Sequence, residues 1–361
     1  MHRNFSSEKN LPESISLRTA SEKRRISMID ITNYGYVAGE AAFPDELIPA
    51  RVVEVRRELY KVVCREGEVN ARLKGSYFLR AGERSDYPAV GDFVTLRYNR
   101  DGHSFIAGLL PRRSKFSRTD FSGHAAAYVK TVLEQVVAAN FDYVFIVSSL
   151  NQDFSPGRIA RYLTQALQSG GTPVVILTKA DLCENAEAQV AAVREIAPDI
   201  DVIPLSSHTG AGLSALAPYV QPGKTIVFLG MSGVGKSSLL NALAGENLMD
   251  VKAIRESDAR GRHTTTHRQL ALLASGAMII DTPGMRELGL WDAEEGIRAA
   301  FADIEDLVTR CRFSDCRHKT EGGCAVKAAL ADGSLAENHW QSYLSQTKEA
   351  TFVDRRLRRR T

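Results

Sequence analysis

The sequence predicts a multidomain chain of three parts in series: an all-β domain at the front, an α/β domain with a phosphate loop in the middle, and a small, mostly helical metal module at the end. Short alternating runs fill residues 47–111. "LGMSGVGKSSLLNAL" begins at Leu229, between an apolar run of strand length and a helical pattern. Three of the five cysteines crowd between Cys311 and Cys324.

The bulk properties leave room for these parts. At 361 residues the chain can bury two or three cores. It is 44% hydrophobic and 25% charged, and no stretch reaches the ~18 uninterrupted apolar residues of a membrane span. The first 25 residues have no apolar core and carry Glu8, Glu13 and Glu22, so neither a secretory signal nor a transit peptide is expected. The expectation is a cytoplasmic protein with no membrane partner. The net charge is +3, but "DRRLRRR" at 354–360 holds five arginines, which points to a polyanionic partner.

In the front part, "ARVVEV", "LYKVVC", "VNARLKG", "DFVTLRY" and "HSFIAGLL" are punctuated by Gly67, Gly91 and Asp101-Gly102. Such spacing predicts a small barrel or sandwich over 47–112. Basic residues (Arg51, Arg56, Arg57, Lys61, Arg65, Arg72, Lys74, Arg80) are offset by Glu54, Glu58, Glu66 and Glu68, so composition does not decide RNA binding. Residues 1–46 form an extension, partly disordered, whose stretch 30–47 is expected against the barrel. The middle part spans 113–298. It opens with a helical or irregular lead-in, then a strand at 142–148 and a helix over 155–170 with Pro156 near its start.

The phosphate loop reads G-x-x-x-x-G-K-S. It comprises Gly230, Met231, Ser232, Gly233, Val234, Gly235, Lys236 and Ser237, with Ser238 next. Glycines let backbone N–H groups converge on phosphate oxygens, and the helix N-terminus adds positive charge. Lys236 reaches the β- and γ-phosphates of a nucleotide and Ser237 ligates Mg²⁺. About 45 residues on, Met278–Ile280 reads as a strand ending in Asp281, with Gly284 after it. An acid and a glycine N–H placed so serve the Mg²⁺ shell and the γ-phosphate.

Base choice is read upstream. The strand 174–177 runs into Thr178-Lys179-Ala180-Asp181, similar to the guanine-reading Asn-Lys-x-Asp of GTPases. Asp181 accepts two hydrogen bonds from guanine that adenine cannot give. The stem of Lys179 lies over the base. Thr178 stands where that motif usually has Asn. Ser206 and Ser207, after "DVIPL", resemble the loop that meets the guanine O6. Here base reading precedes the phosphate loop, the reverse of the ordinary order, as in a circularly permuted GTPase.

The last part, 299–361, carries Cys311, Cys316, His318 and Cys324 as C-x₄-C-x-H-x₅-C, a ligand set for one structural Zn²⁺. "NHWQSYLSQTKEATFVDRRLRRR" after it reads as a helix with Trp340, Tyr343 and Leu344 on one face and a basic end suited to RNA phosphates. Cys64 and Cys183 read as small core residues, and His208, His267 and His339 as ordinary polar ones.

The permuted order, "GRHTTT" at 261–266 and "CRFSDCRHKTEGGC" at 311–324 together resemble the small ribosomal subunit biogenesis GTPase A (RsgA-type) family, from about residue 47 onward. The resemblance implies an OB-fold β-barrel at the front and GTP, GDP and Mg²⁺ as ligands. It implies hydrolysis of GTP late in maturation of the small ribosomal subunit, with subunit-stimulated turnover and rRNA contact. It points to His263 as the group that orients the attacking water, since Met285 fills the position after Asp-x-x-Gly where many GTPases have Gln. Among Thr264, Thr265 and Thr266 one binds Mg²⁺ by analogy, Thr265 being favoured. A monomer is expected. The competing reading is a GTP-dependent switch on a non-ribosomal protein or RNA partner.

Overall fold

The computed structural model describes residues 28–39, 43–56, 59–120, 133–151, 154–245, 269–281 and 294–358. The front of the chain closes into a five-stranded barrel. Its strands are β1 (Ile48–Arg56), β2 (Leu59–Cys64), β3 (Gly67–Leu73), β4 (Phe93–Arg97) and β5 (Ser104–Leu109), paired in the order β1-β2-β3-β5-β4 and back to β1. Alternation puts Ala50, Val52, Val62, Val94, Leu96 and Ile106 in its core. A short helix, α1 (Gly75–Arg80), follows β3. Six residues are too few for a helical period to show in sequence.

The middle of the chain builds a sheet in the order β10-β9-β8-β11-β13-β12. These are β8 (Tyr143–Ser149), β9 (Thr172–Thr178), β10 (Val202–Pro204), β11 (Thr225–Leu229), β12 (Gln269–Leu272) and β13 (Met278–Asp281), parallel except for β12. Helices α2 (Pro156–Gln168), α3 (Ala186–Arg194) and α4 (Lys236–Ala244) connect them. Ser155 caps α2 by accepting from the Arg158 N–H, and Pro156 supplies a pre-set first turn. The lead-in expected as helical or irregular contains a strand. β7 (Leu133–Ala139) pairs antiparallel with β6 (Lys115–Asp120), and Phe116 of that hairpin stacks on Phe141 at 4.9 Å. Pairing and burial override the alanine-rich composition.

The last part holds α5 (Glu294–Ala300), α6 (Ala302–Thr309), α7 (Ala325–Asp332) and α8 (Glu337–Arg358) around Ile297, Phe301, Ile304, Val326 and Trp340. His339 corrects its expectation as an ordinary polar residue: it is buried, tilted against Phe301 at 5.0 Å, with Nε2 3.1 Å from Asp303. Burial raises the Asp303 pKa, yet the His339 hydrogen bond and charge together with nearby backbone N–H groups outweigh it and hold that carboxyl below its usual value. Gly296 lets α5 lie against α2, for a Cβ there would sit 2.6 Å from the Thr164 carbonyl. Among the described residues no helix is long and apolar enough to cross a membrane.

Barrel and sheet share a core. β1 pairs with β12 through Glu54 and Gln269, making one eleven-stranded sheet. Val53, Val63 and Val90, on the outer side of the barrel, pack with Val137, Val144 and Ile280. Gly91 permits the approach: its φ is +93°, and a Cβ would fall 2.0 Å from the Ala139 carbonyl. Arg51 is fully buried in this seam. Its guanidinium donates to the carbonyls of Tyr34 (2.5 Å), Gly91 (3.2 Å) and Asn140 (2.8 Å) and lies 4.8 Å over the Phe93 ring. Tyr34 belongs to the single turn Ile31–Tyr34, so the stretch expected against the barrel is pinned into the seam. Burial pushes the Arg51 pKa down to about 9, partly offset by Asp142 and Asp92, and the group stays charged at neutral pH. Beside it Arg112 grips Asp92 with two bonds of 2.8 and 2.7 Å.

Replacing Arg51 by Ala removes a donor from the carbonyls of Tyr34, Gly91 and Asn140, of which Gly91 keeps the Asn140 amide at 3.3 Å, and opens a cavity. The expected loss is about 3–5 kcal/mol of unfolding free energy by urea titration. Arg298→Ala, which removes an exposed pair with Glu294, should stay within about 0.5 kcal/mol.

Candidate functional site

The phosphate loop bridges β11 and α4, where two helical turns begin directly on Lys236. Gly230 has φ +147°, and a Cβ there would lie 2.3 Å from the Val147 carbonyl of β8, so only glycine lets the loop leave the sheet here. Gly233 and Gly235 also have positive φ. Gly235 is the N-cap of α4 and offers no side chain to its first N–H groups, the arrangement an anionic ligand exploits. Lys236 Nζ donates to the carbonyls of Gly230 (2.7 Å) and Met231 (2.5 Å), across the mouth of the loop. Ser237 and Ser238 are half-buried on the first turn of α4, and Ser232 is exposed.

Strand order brings the base-reading stretch to the same edge. β9 neighbours β8, which neighbours β11. Thr178 ends β9, is buried, and its hydroxyl donates to the Val234 carbonyl at 2.5 Å. The shorter residue therefore reaches the phosphate loop without the Asn usual in that motif. It can do so because Gly235 carries no side chain: a Cβ there would already touch Thr178 Oγ1 at 3.4 Å. Lys179 takes a left-handed backbone (φ +60°), which turns its Nζ to the Gly233 carbonyl at 2.9 Å. Asp181 follows in the turn Ala180–Leu182 with its carboxylate exposed.

The Ala180 N–H donates to the Leu205 carbonyl, which sets the Ser206-Ser207 loop beside Asp181. Ser206 is buried and accepts from the N–H groups of His208 and Thr209, fixing the turn. Ser207 Oγ is buried without a partner, an orphan hydroxyl in a loop otherwise satisfied. Asp281 ends β13, next to β11; its side chain, and His263, Thr265 and Gly284, lie outside the described residues, as does His267.

A second cluster lies in the helical part. Cys311, Cys316, His318 and Cys324 place their ligand atoms within 4.8 Å of one another. Sγ of Cys311 is 3.6 Å from His318 Nδ1 and 3.9 Å from Cys324 Sγ, and the last two ligands are 3.3 Å apart. Bond lengths near 2.3 Å to sulfur and 2.0–2.1 Å to nitrogen give tetrahedral edges of about 3.5–3.8 Å, so the donor set fits Zn²⁺. A sulfur separation of 3.9 Å is far from a disulfide. Trp340 lies edge-on to the His318 ring at 5.6 Å.

A profile of the RsgA GTPase family matches residues 109–291. The chain belongs to the RsgA GTPase family. It is 43% identical over 306 residues to the small ribosomal subunit biogenesis GTPase RsgA 2 of Listeria monocytogenes, covering 85% of this chain and 84% of that one. It is 43% identical over 319 residues to the RsgA of Xylella fastidiosa, covering 86% and 91%. Among solved structures, YjeQ from Thermotoga maritima aligns with a TM-score of 0.64 at 27% identity over 84% of this chain and 99% of that one. YloQ, described as a circularly permuted GTPase, aligns at 0.60 and 25% over 86% and 98%. The inverted motif order, the barrel and the cysteine-rich helical end are thus those of an RsgA-type permuted GTPase, and a guanine nucleotide is its ligand.

Two outcomes test the geometry. Thr178→Val keeps the shape but leaves the Val234 carbonyl unpaired. Titration with a fluorescent GTP analogue should show affinity falling roughly 5- to 30-fold, while Thr178→Asn retains it. The purified chain should carry about one zinc ion by mass spectrometry. Cys324→Ser should lose it, together with helical signal in circular dichroism.

Proposed function

We propose that this RsgA GTPase acts in the biogenesis of the small ribosomal subunit, binding it through rRNA with GTP bound and leaving after hydrolysis. The observation that carries the reading is the joining of base reader to phosphate loop by Thr178 and Lys179, in a chain whose close relatives bear that subunit in their names. A non-ribosomal partner has no such support. The protein works as a cytoplasmic monomer with no membrane partner.

The proposed roles follow the motifs, supported for residues 178–181, 206–207 and 230–238 by the contacts described above. Asp181 pairs with the guanine N1–H and amine, and Ser206 and Ser207 bring backbone and hydroxyl groups to its carbonyl edge. The N–H groups of Gly230 to Ser238 cradle the phosphates. Lys236 exchanges its loop carbonyls for β- and γ-phosphate oxygens, a charge-assisted contact about twice as strong. Ser237, Thr265 and Asp281 hold or orient Mg²⁺, which when bound neutralises charge on those phosphates. His263 accepts a hydrogen bond from the attacking water, and the Gly284 N–H meets the γ-phosphate. Water oxygen then bonds to the γ-phosphorus as the bond to the β–γ bridging oxygen breaks. GDP leaves with that electron pair, and the water proton ends on inorganic phosphate. Zn²⁺ on Cys311, Cys316, His318 and Cys324 is structural.

GTP turnover measured with isolated small subunits, and with large subunits as control, tests this. Stimulation many-fold by small subunits alone is expected, and none at all would remove the ribosomal reading. His263→Ala should abolish the stimulation while GTP still binds; full stimulation in that variant would take His263 out of the mechanism.

A further inference from the structure

The outer face of the barrel carries an aromatic where burial would be expected. β5 alternates strictly at its start: Ser104 and Ile106 are wholly buried, and Phe105 between them is 41% exposed. Phe93, Phe116, Phe141, Phe145 and Phe228 of the barrel and sheet all lie below one tenth exposure. The strand registers set two arginines beside Phe105. Arg72 of β3 is its partner on one side and Arg97 of β4 its partner on the other. Ala71, Leu96 and Ile106 of the same rows point into the core, so Arg72, Phe105 and Arg97 share the outward face. Both arginines are exposed.

Among the described residues Arg72 has no carboxylate partner. Arg97 pairs with Glu46 at 2.8 Å, with the two side chains 54% and 75% exposed. A pair so exposed contributes little and yields to a phosphate. The exposed Asn70 and His103 extend the row with groups able to bond or stack on bases.

We propose that Arg72, Phe105 and Arg97 form a stacking platform for one unpaired base of single-stranded RNA, its flanking phosphates taken by the two arginines. An aromatic face at the centre with a guanidinium on each side, two strand spacings apart, matches a nucleotide and its backbone in both apolar character and charge. An apolar protein surface would meet two exposed guanidinium groups, one held only by the exposed Glu46 pair, whereas RNA supplies their counter-charge. The platform lies on β3, β5 and β4, away from the phosphate loop. It rests on the ribosomal reading above and gives the barrel a specific part in it.

The test uses the full chain with three variants: Phe105→Leu, Phe105→Trp, and Arg72→Gln with Arg97→Gln. Binding to isolated small subunits is measured against salt, with GTP affinity and basal hydrolysis as controls of folding. Phe105→Leu keeps the apolar volume but loses the π-face and should weaken binding roughly 5- to 100-fold, whereas Phe105→Trp should retain it. The double arginine variant should flatten the salt dependence by about two phosphate contacts. Wild-type affinity in Phe105→Leu, or equal losses in the Leu and Trp variants, would overturn the platform and leave the ribosomal role standing. If the wild-type chain does not bind small subunits, the ribosomal reading fails first. The Leu and Trp variants are then compared on a short unstructured RNA oligonucleotide, where equal affinities overturn the platform as well.

Discussion

One buried guanidinium sets the relation of the front barrel to the nucleotide-binding sheet. Arg51 leaves β1 and finds acceptors in three separate stretches, at Tyr34, Gly91 and Asn140. A charge of this kind survives burial only when its donors are satisfied, and carbonyls do so here without a carboxylate in contact. The close passage of Gly91 against Ala139 and the Glu54–Gln269 pairing depend on the same seam. Because Val53 and Val63 belong to the core under the sheet, barrel and sheet are one packed body rather than two beads on a string.

Circular permutation shows as an economy of geometry. The stretch 178–181 and the loop 230–237 lie about fifty residues apart, yet they close on each other through two strand pairings and two side-chain bonds to loop carbonyls. Where the chain begins and ends does not matter to that contact; the neighbours in the sheet do. What permutation changes is the exit. The chain leaves β13 toward α5, which packs on α2, and α2 also meets α8 through Arg161 and Glu349. The metal-clustered helices are therefore seated on the helix that follows β8.

Local motifs were legible in the sequence because each announces its backbone. Glycines at 230, 233 and 235 signal a turn that side chains would block, and the strand before and helix after them have plain periods. The Cys₃His spacing was legible for the same reason, since short intervals force the ligands together. Non-local features were hidden. Arg51 read as one basic residue among several; the clue was its place in "ARVVEV", where Val53 already makes the outer face apolar. β7 was hidden by alanine and by the distance to its partner, and His339 by its likeness to any polar residue on a helix. The reach of Thr178 could not be judged from its length alone, because the answer lay in a glycine fifty-seven residues away. Phe105 was unremarkable until the register placed an arginine on each side.

The seam also has a timing. Arg51 and the Met278 sulfur it touches are 227 residues apart. A chain made at roughly 5–20 residues per second completes β13 on the order of ten to forty seconds after β1. For that interval the barrel can close on its own strands, but the side bearing Val53, Val63 and Arg51 faces water without its other half. A cation in the middle of that waiting surface, with the Tyr34 and Gly91 carbonyls already made, keeps it soluble and unattractive to other apolar chains until Asn140 and then β13 arrive. The residue that fastens the finished molecule thus also guards the unfinished one.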